Sequence, residues 1–292
     1  MAIYAKDGTQ LYSAYKTDGT ELLSAYDVDG NVIFTKDLTF KVCTYNVGGW
    51  YIGSGTNVPT DKDAAFYALQ DSIISSIDAD VLCLEEFWTT FSQSGRTAAS
   101  LLSQYYPYIQ TAGGNTTYTG RAICSKFPIV SYTQHTFSGE SRYYDCAVIN
   151  IKGVLCHVFV THLHPSDIPT KIAEATELFN FIQSQGYEKY IVCGDYNSTL
   201  YDPMSETNLA IYKQFMDVGC TLANDGAFGI LNTACNSADW ANDAFAIDNI
   251  ICSAPFAIDS VATDLTKITN AAVLAAGKID HIPLYANITI NV

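Results

Sequence analysis

From Phe40 to the end of the chain, short apolar runs recur, and most of them finish on a polar residue: "FKVCTYNV", "DVLCLEEF", "GRAICSK", "CAVINI", "VLCHVFVTHLH", "YIVCGDYN", "AIDNIICS" and "IPLYANITI". Runs of this length, rich in Val, Ile, Leu and Cys, have the pattern of strands buried on both faces. Sheets of such strands must be covered. Helical spacing supplies the cover: Phe66, Leu69, Ile73 and Ile77, after a Pro59-Thr60-Asp61 start, predict a helix over 61–77. Ile172, Leu178, Phe179 and Ile182, with Gly186 as a stop, predict another over 171–185, and a third is expected over 209–218. Many strands and few helices, without strict βαβ alternation, predict an α/β (α+β) chain with helices packed outside two sheets.

The chain has 292 residues, 48% of them hydrophobic, enough for one large core or a core plus an appendage. Its net charge of −15 and the lack of a Lys/Arg block argue against a broad basic face for nucleic acid. A bound cation could still supply local positive charge where a phosphate is met. No apolar run approaches the roughly 18 residues of a membrane span. The start, "MAIYAKDGTQ", lacks the sections of a signal peptide, so a soluble, cytoplasmic protein is expected. None of the nine cysteines forms a C-x-x-C. Cys43, Cys83, Cys124, Cys193 and Cys252 lie in strand-like runs, where free cysteine acts as a small buried hydrophobe, which fits a reducing compartment.

Residues 1–39 are a different kind of sequence. "KDGTQLYSAY", "TDGTELLSAY" and "VDGNVIFTK" repeat with Asp7, Asp18 and Asp29 spaced by eleven, each a turn dipeptide followed by a short strand. Successive β-hairpins or stacked β-arcs are expected. Such short units need a partner surface, so 1–39 reads as an attachment segment and 40–292 as the main domain. The segment resembles short DG-type repeats at the starts of some bacterial and bacteriophage structural proteins. That resemblance implies self-association or docking onto a larger phage or bacterial assembly.

Within "YIVCGDYN", Gly194 permits a turn or a close approach, and Asp195 and Asn197, two apart, would share one side. The pair either caps the strand end as an Asx turn or forms part of a ligand site. Other strand ends carry similar residues: Asn46, Glu85 with Glu86, His162 with His164, Asp248, and Asp280-His281.

In order, "TYNV", "DADVLCLEEFW", "GRAICSKFPI", "VTHLHP", "GDYN", "IDNII" and "IDHIPL" resemble the ordered motifs of the endonuclease/exonuclease/phosphatase superfamily, the deoxyribonuclease-I-like fold, over residues 40 to 292. The resemblance implies a four-layer αββα sandwich of two packed mixed β-sheets flanked by helices. It implies a divalent cation, Mg²⁺ or Mn²⁺, held by Glu86 with Asn46 beside it, and Asp280 as a metal ligand or water-orienting group. It implies that Asp195 orients or deprotonates the attacking water and that Asn197 hydrogen-bonds a phosphoryl oxygen. His162 would contact the phosphate or protonate the leaving oxygen, and His281 would act as general base or acid, held by Asp248. One departure stands out. Glu85 occupies the place of the family's usual glutamine, either adding negative charge on the metal side or pointing outward into solvent.

The implied activity is metal-dependent phosphoester hydrolysis, with a deoxyribonuclease-like phosphodiesterase as the main reading and nucleic acid as the expected substrate. Arg96, Arg121 and Arg142 are candidate contacts to its backbone. A phosphatase or phospholipid phosphodiesterase of the same superfamily is the alternative. A non-catalytic interaction protein on this fold is disfavoured because Glu86, Asp195 and His281 are all present. His135 and His157 match no motif and are expected to be ordinary sheet or surface residues. Phe87 is expected in the core, and Trp88 could stack on a base, lipid or sugar.

Overall fold

The structure is a computed structural model. It describes residues 37–48, 64–87, 92–93, 96–112, 120–139, 142–200, 206–235, 244–263 and 280–290, and in the first 36 residues only the strands. The principal strands are β1 (Leu38–Asn46), β2 (Val81–Glu85), β3 (Tyr108–Ala112), β4 (Arg121–Ser125), β5 (Ile129–Thr136), β6 (Tyr143–Ile151), β7 (Val154–His162), β8 (Tyr190–Asp195), β9 (Thr221–Leu222), β10 (Asp248–Cys252), β11 (Phe256–Thr263) and β12 (Leu284–Ile290). The helices are α1 (Ala64–Ile77), α2 (Ala98–Leu102), α3 (Ile168–Ser184) and α4 (Glu206–Met216).

Two six-stranded sheets result, in the orders β3-β4-β2-β1-β12-β11 and β5-β6-β7-β8-β10-β9. Both are mixed, because β1 runs parallel to β2 and β7 parallel to β8 while the other pairs are antiparallel. Each parallel pair needs a crossover, and α1 and α3 supply it. The inner faces meet in one core that includes Val42, Cys83, Ile123, Ile149, Val160, Cys193 and Ile250. On the outer faces Ile73 and Ile77 of α1 with Leu101 and Leu102 of α2 cover the first sheet, and Leu178 and Ile182 of α3 with Ile211 and Phe215 of α4 cover the second. The αββα sandwich is therefore as expected. A wholly buried Val, Leu, Ile or Phe gains about 1.5–3 kcal/mol over an exposed one, so these three cores account for the layering.

Helix bounds depart from the sequence reading in an instructive way. Helix α3 begins at Ile168 rather than residue 171, because Asp167 caps it by accepting from the Thr170 N–H and Pro169 fits the first turn. Helix α4 starts at Glu206 and ends at Met216, earlier than expected at both ends, and α1 starts at Ala64, with 61–63 outside the described residues. All nine cysteines are free and buried, as expected of the apolar ones.

In the first 36 residues the described strands pair as Ile3–Tyr4 with Gln10–Leu11, Ala14–Tyr15 with Glu21–Leu22, and Ser24–Tyr26 with Val32–Thr35. The Asp-Gly dipeptides between them lie outside the described residues. Among the described residues no helix is long and apolar enough to cross a membrane.

Candidate active site

The two parallel pairs end at the same mouth of the sandwich. In the first, Asn46 registers with Glu85; in the second, His162 registers with Asp195, which also opposes Asp248 of β10. His281 joins through a backbone bridge to Ala234. The mouth holds a cavity of about 680 Å³ whose wall includes Glu86, His162, Asp195, Asn197, Asp280 and His281.

Local backbone decides which side chains enter it. Glu85, the last residue of β2, follows the strand alternation inward, so Glu86 must leave the pleat, and it does so at φ 53°. An L residue in this left-handed region costs about 1–2 kcal/mol, and the turn throws the Glu86 carboxylate into the cavity. Gly48, at φ 54°, lets Asp280 close in, since a Cβ there would lie 3.0 Å from Asp280 Oδ1. Asn46 donates from Nδ2 to Glu86 Oε1 at 3.2 Å and to Asp195 Oδ2 at 3.0 Å, while its Oδ1 accepts the Gly48 N–H. Asn46 thus turns its nitrogen toward the carboxylates, and it could offer an oxygen to a cation beside Glu86 only with the amide turned over. Burial pushes the Glu86 carboxyl up to about 7, with Asp280 and Asp195 adding to the rise against the Asn46 hydrogen bond. Two oxygen-bearing acids at one corner, one destabilised as an anion, fit a hard divalent cation.

The histidines stand on either side of Asp195. His281 Nδ1 lies 2.9 Å from Asp248 Oδ2, and both His281 Nε2 and His162 Nε2 lie 3.6 Å from Asp195 Oδ2. The donor atoms of Asp195, Asp248 and His281 all fall within 4.8 Å of one another, a second place that could accept a cation. Burial works to lower the His281 pKa, but Asp248 and Asp195 together carry it well above the ordinary imidazole value. Burial drops His162 to about 4, helped by Arg142 and opposed by Asp195. At neutral pH His281 therefore holds a proton, whereas His162 is neutral and can offer an N–H without storing a proton for a leaving group. Among the described residues, His162 Nδ1 and Asp248 Oδ1 are buried without a hydrogen-bond partner.

The Asp-x-Asn pair is both of the things it was read as. Asp195 Oδ1 accepts the Asn197 N–H at 2.8 Å, an Asx turn, while Oδ2 faces the histidines. Strand β8 ends at Asp195, so period-two alternation does not bring Asn197 to the same side; its left-handed backbone, φ 48°, does. Asn197 Nδ2 donates to Leu163 O at 3.0 Å. Gly194 marks a close approach rather than a turn, because a Cβ on it would meet Thr161 O at 2.3 Å.

The predicted residues Asn46, Glu86, His162, Asp195, Asn197, Asp248, Asp280 and His281 all gather at this mouth, Asp248 from behind His281. Other expectations need correction. Glu85 does not point into solvent: it is wholly buried between the sheets, accepts from Thr44 Oγ1 at 2.8 Å, and its carboxyl is raised well above the usual value by burial and by Asp248. Arg121 is no backbone contact, being buried in a 2.6 Å ion pair with Asp145 that joins the two sheets. Arg142 does line the cavity, and the side chains of Arg96 and Trp88 lie outside the described residues. Phe87 is in the core, as expected. His164 accepts the Asp167 N–H at the start of α3, and His135 is a half-buried sheet residue of β5, as expected, stacked on Tyr144 with Phe181 tilted against it. His157 stacks on Tyr187. Sequence reasoning missed Lys171, buried under the site with its Nζ on Asn197 O. Its signal was weak: a lysine on the first turn of a helix, with nothing local to show which way it reaches.

A model of the Endonuclease/Exonuclease/phosphatase family matches residues 43–268. Among curated proteins, Sphingomyelin phosphodiesterase 2 of Homo sapiens is 29% identical over a match covering 40% of this chain and 33% of the relative, so the chain spans about a third of it. Among solved structures, the 3′ phosphatase NExo from Neisseria bound to product DNA hairpin superposes with a TM-score of 0.63 at 18% identity, covering 85% of this chain and 98% of that one. The human Nocturnin catalytic domain with bound sulfate gives 0.63 at 18% identity, covering 87% and 94%. Truncated Caenorhabditis elegans TDP2 gives 0.62 at 14% identity, covering 86% and 97%. At these identities the superpositions speak for the fold alone.

Proposed function

The chain belongs to the Endonuclease/Exonuclease/phosphatase family, and from that premise we propose that it is a divalent-metal-dependent phosphoester hydrolase, a deoxyribonuclease-like phosphodiesterase acting on nucleic acid. The observation that carries the reading is Asp195 Oδ2, set between two imidazoles and the Asn46 amide at a cavity that also receives Glu86. A cation, Mg²⁺ or Mn²⁺, would be held by Glu86 and Asp280, with Asn46 beside them, and when bound would supply Lewis-acid stabilisation of phosphoryl charge. Asp195 Oδ2 orients the attacking water and takes its proton. Asn197 keeps one Nδ2 hydrogen beyond its bond to Leu163 O and directs it to a phosphoryl oxygen as charge builds. Neutral His162 donates an N–H to the phosphate. His281, fixed at Nδ1 by Asp248, delivers a proton from Nε2 to the leaving oxygen as its bond to phosphorus breaks.

The test is turnover of plasmid DNA and of a bis-nitrophenyl phosphodiester with Mg²⁺, with Mn²⁺ and with chelator. The reading requires loss in chelator and recovery on metal return; equal turnover in chelator would sink it. A second reading, a choline phospholipid phosphodiesterase, is favoured by the curated relative's name. For residues 1–39 we propose an attachment module, through self-association or docking to a phage or bacterial assembly, beside a catalytic domain over 40–292. Light scattering of the full chain and of 40–292 would check this, the shorter chain keeping activity and losing association. Nine free, buried thiols favour a reducing, cytoplasmic setting.

A further inference from the structure

Arg142 stands immediately before β6, half-buried, on the cavity wall. Its Nη1 donates to His162 O and to Leu163 O, both at 3.1 Å, so the guanidinium is held in one orientation by the backbone at the end of β7. Leu163 O also accepts from Asn197 Nδ2, so one carbonyl ties Arg142 to the amide proposed to meet the scissile phosphate. Among the described residues no carboxylate lies within ion-pair distance of Arg142, whereas Arg121, Lys126 and Lys213 all have acidic partners. A fixed guanidinium on the cavity wall, unpaired, in a chain of net charge −15, calls for an anion from outside.

In the hydrolase reading above, Asn197, His162 and His281 serve the scissile phosphate, which leaves Arg142 to a different anion. Resting on the hydrolase reading above, we propose that Arg142 receives a second phosphate of the same substrate, next along the strand from the bond that is cut. The residue thereby selects a nucleic-acid strand over substrates with a single phosphate. A choline phospholipid is disfavoured on the same ground, because its quaternary ammonium would face a like charge.

The experiment compares the full-length chain with Arg142→Gln and Arg142→Lys on a single-stranded oligonucleotide and on bis-nitrophenyl phosphate, with metal, over a salt series. A charge-assisted contact of the usual strength predicts that Arg142→Gln loses about 10- to 100-fold more in kcat/KM on the oligonucleotide than on the single-phosphate diester. The slope of log KM against log salt should fall by about 0.7 for the lost phosphate contact, and Arg142→Lys, which keeps the charge, should retain the slope. Equal losses on both substrates with an unchanged slope would overturn the inference and leave Arg142 as a support for the His162–Leu163 backbone. A wild-type chain that cuts the diester but not the oligonucleotide would also overturn it, with the hydrolase reading intact. Turnover of neither substrate with metal present would remove both.

Discussion

The two parallel strand pairs, β1 with β2 and β7 with β8, use one device twice: a helical crossover, then polar side chains delivered from register-matched strand ends. They differ in what surrounds those ends. The end of β2 gathers Glu86 and Asp280; Glu86 accepts from the Asn46 amide and has neutral His162 Nδ1 at 3.9 Å, and no described Lys or Arg forms an ion pair with Glu86 or Asp280. The end of β8 is pinned by cations that bind backbone: Lys171 on Asn197 O, and Arg142 on His162 O and Leu163 O. The same topology therefore builds an acid corner at the end of β2 and, a strand pair away, a corner where backbone-bound cations stand beside Asp195, Asp248 and His281, whose ligand atoms could themselves accept a cation. The fold supplies two positions, and the charges beside them decide what each can hold.

Mutation can break that division. Asp195→Asn and His281→Ala on the phosphate side should each cut kcat by about 10²–10⁴-fold, and raising Mn²⁺ or Mg²⁺ should not restore it. Glu86→Gln should also cost activity, but part of the loss should return at high metal; identical metal responses for Glu86→Gln and Asp195→Asn would erase the distinction between the corners. Next in size, Asn197→Ala should lower kcat by roughly 10²–10³-fold with KM little changed, as expected for a donor used in the transition state.

Gly194→Ala tests the seam of the second pair. Its Cβ would meet Thr161 O at 2.3 Å, so the β7–β8 ladder must shift, at a cost of about 1–3 kcal/mol read as a lower denaturant midpoint with unchanged slope. At the metal corner, a Glu86 carboxyl with a pKa of about 7 holds a proton that a cation must displace. Metal affinity should be flat above about pH 7 and fall about tenfold per unit below it, measured by calorimetric titration.

The smallest effect is expected at Glu85, beneath the same corner. Burial raises its folded-state pKa well above the ordinary 4.5. Below about pH 4.5 both the folded and the unfolded chain carry the proton; above it the unfolded chain releases it first, so stability falls as pH rises toward the folded value. Glu85→Gln removes that slope. The variant should match the wild type near about pH 4 and gain on it toward about pH 8 in metal-free melts; a constant difference across that range would show that Glu85 is not buried as a proton carrier.

The interior of each sheet could be read in advance and the edges could not. The runs recognised in the sequence are β1, β2, β4, β6, β7, β8, β10 and β12, all interior strands, while β3, β5, β9 and β11, the four edges, escaped. An interior strand shielded on both faces must be apolar throughout, and that leaves a linear trace. Edge strands such as β5, with mostly exposed or half-buried residues, need no such pattern because water satisfies one side. The site divides in the same way. Asn46, Glu86, His162, Asp195, Asn197, Asp248, Asp280 and His281 could be named because each follows or precedes a strand in a fixed order of motifs. The inward turn of Glu85, the burial of Arg121 against Asp145, and the reach of Lys171 and Arg142 to backbone carbonyls were decided only by packing. Their partners lie on other elements, and a charged residue in a linear sequence looks the same whether the fold turns it to water, to a partner sheet or to a substrate.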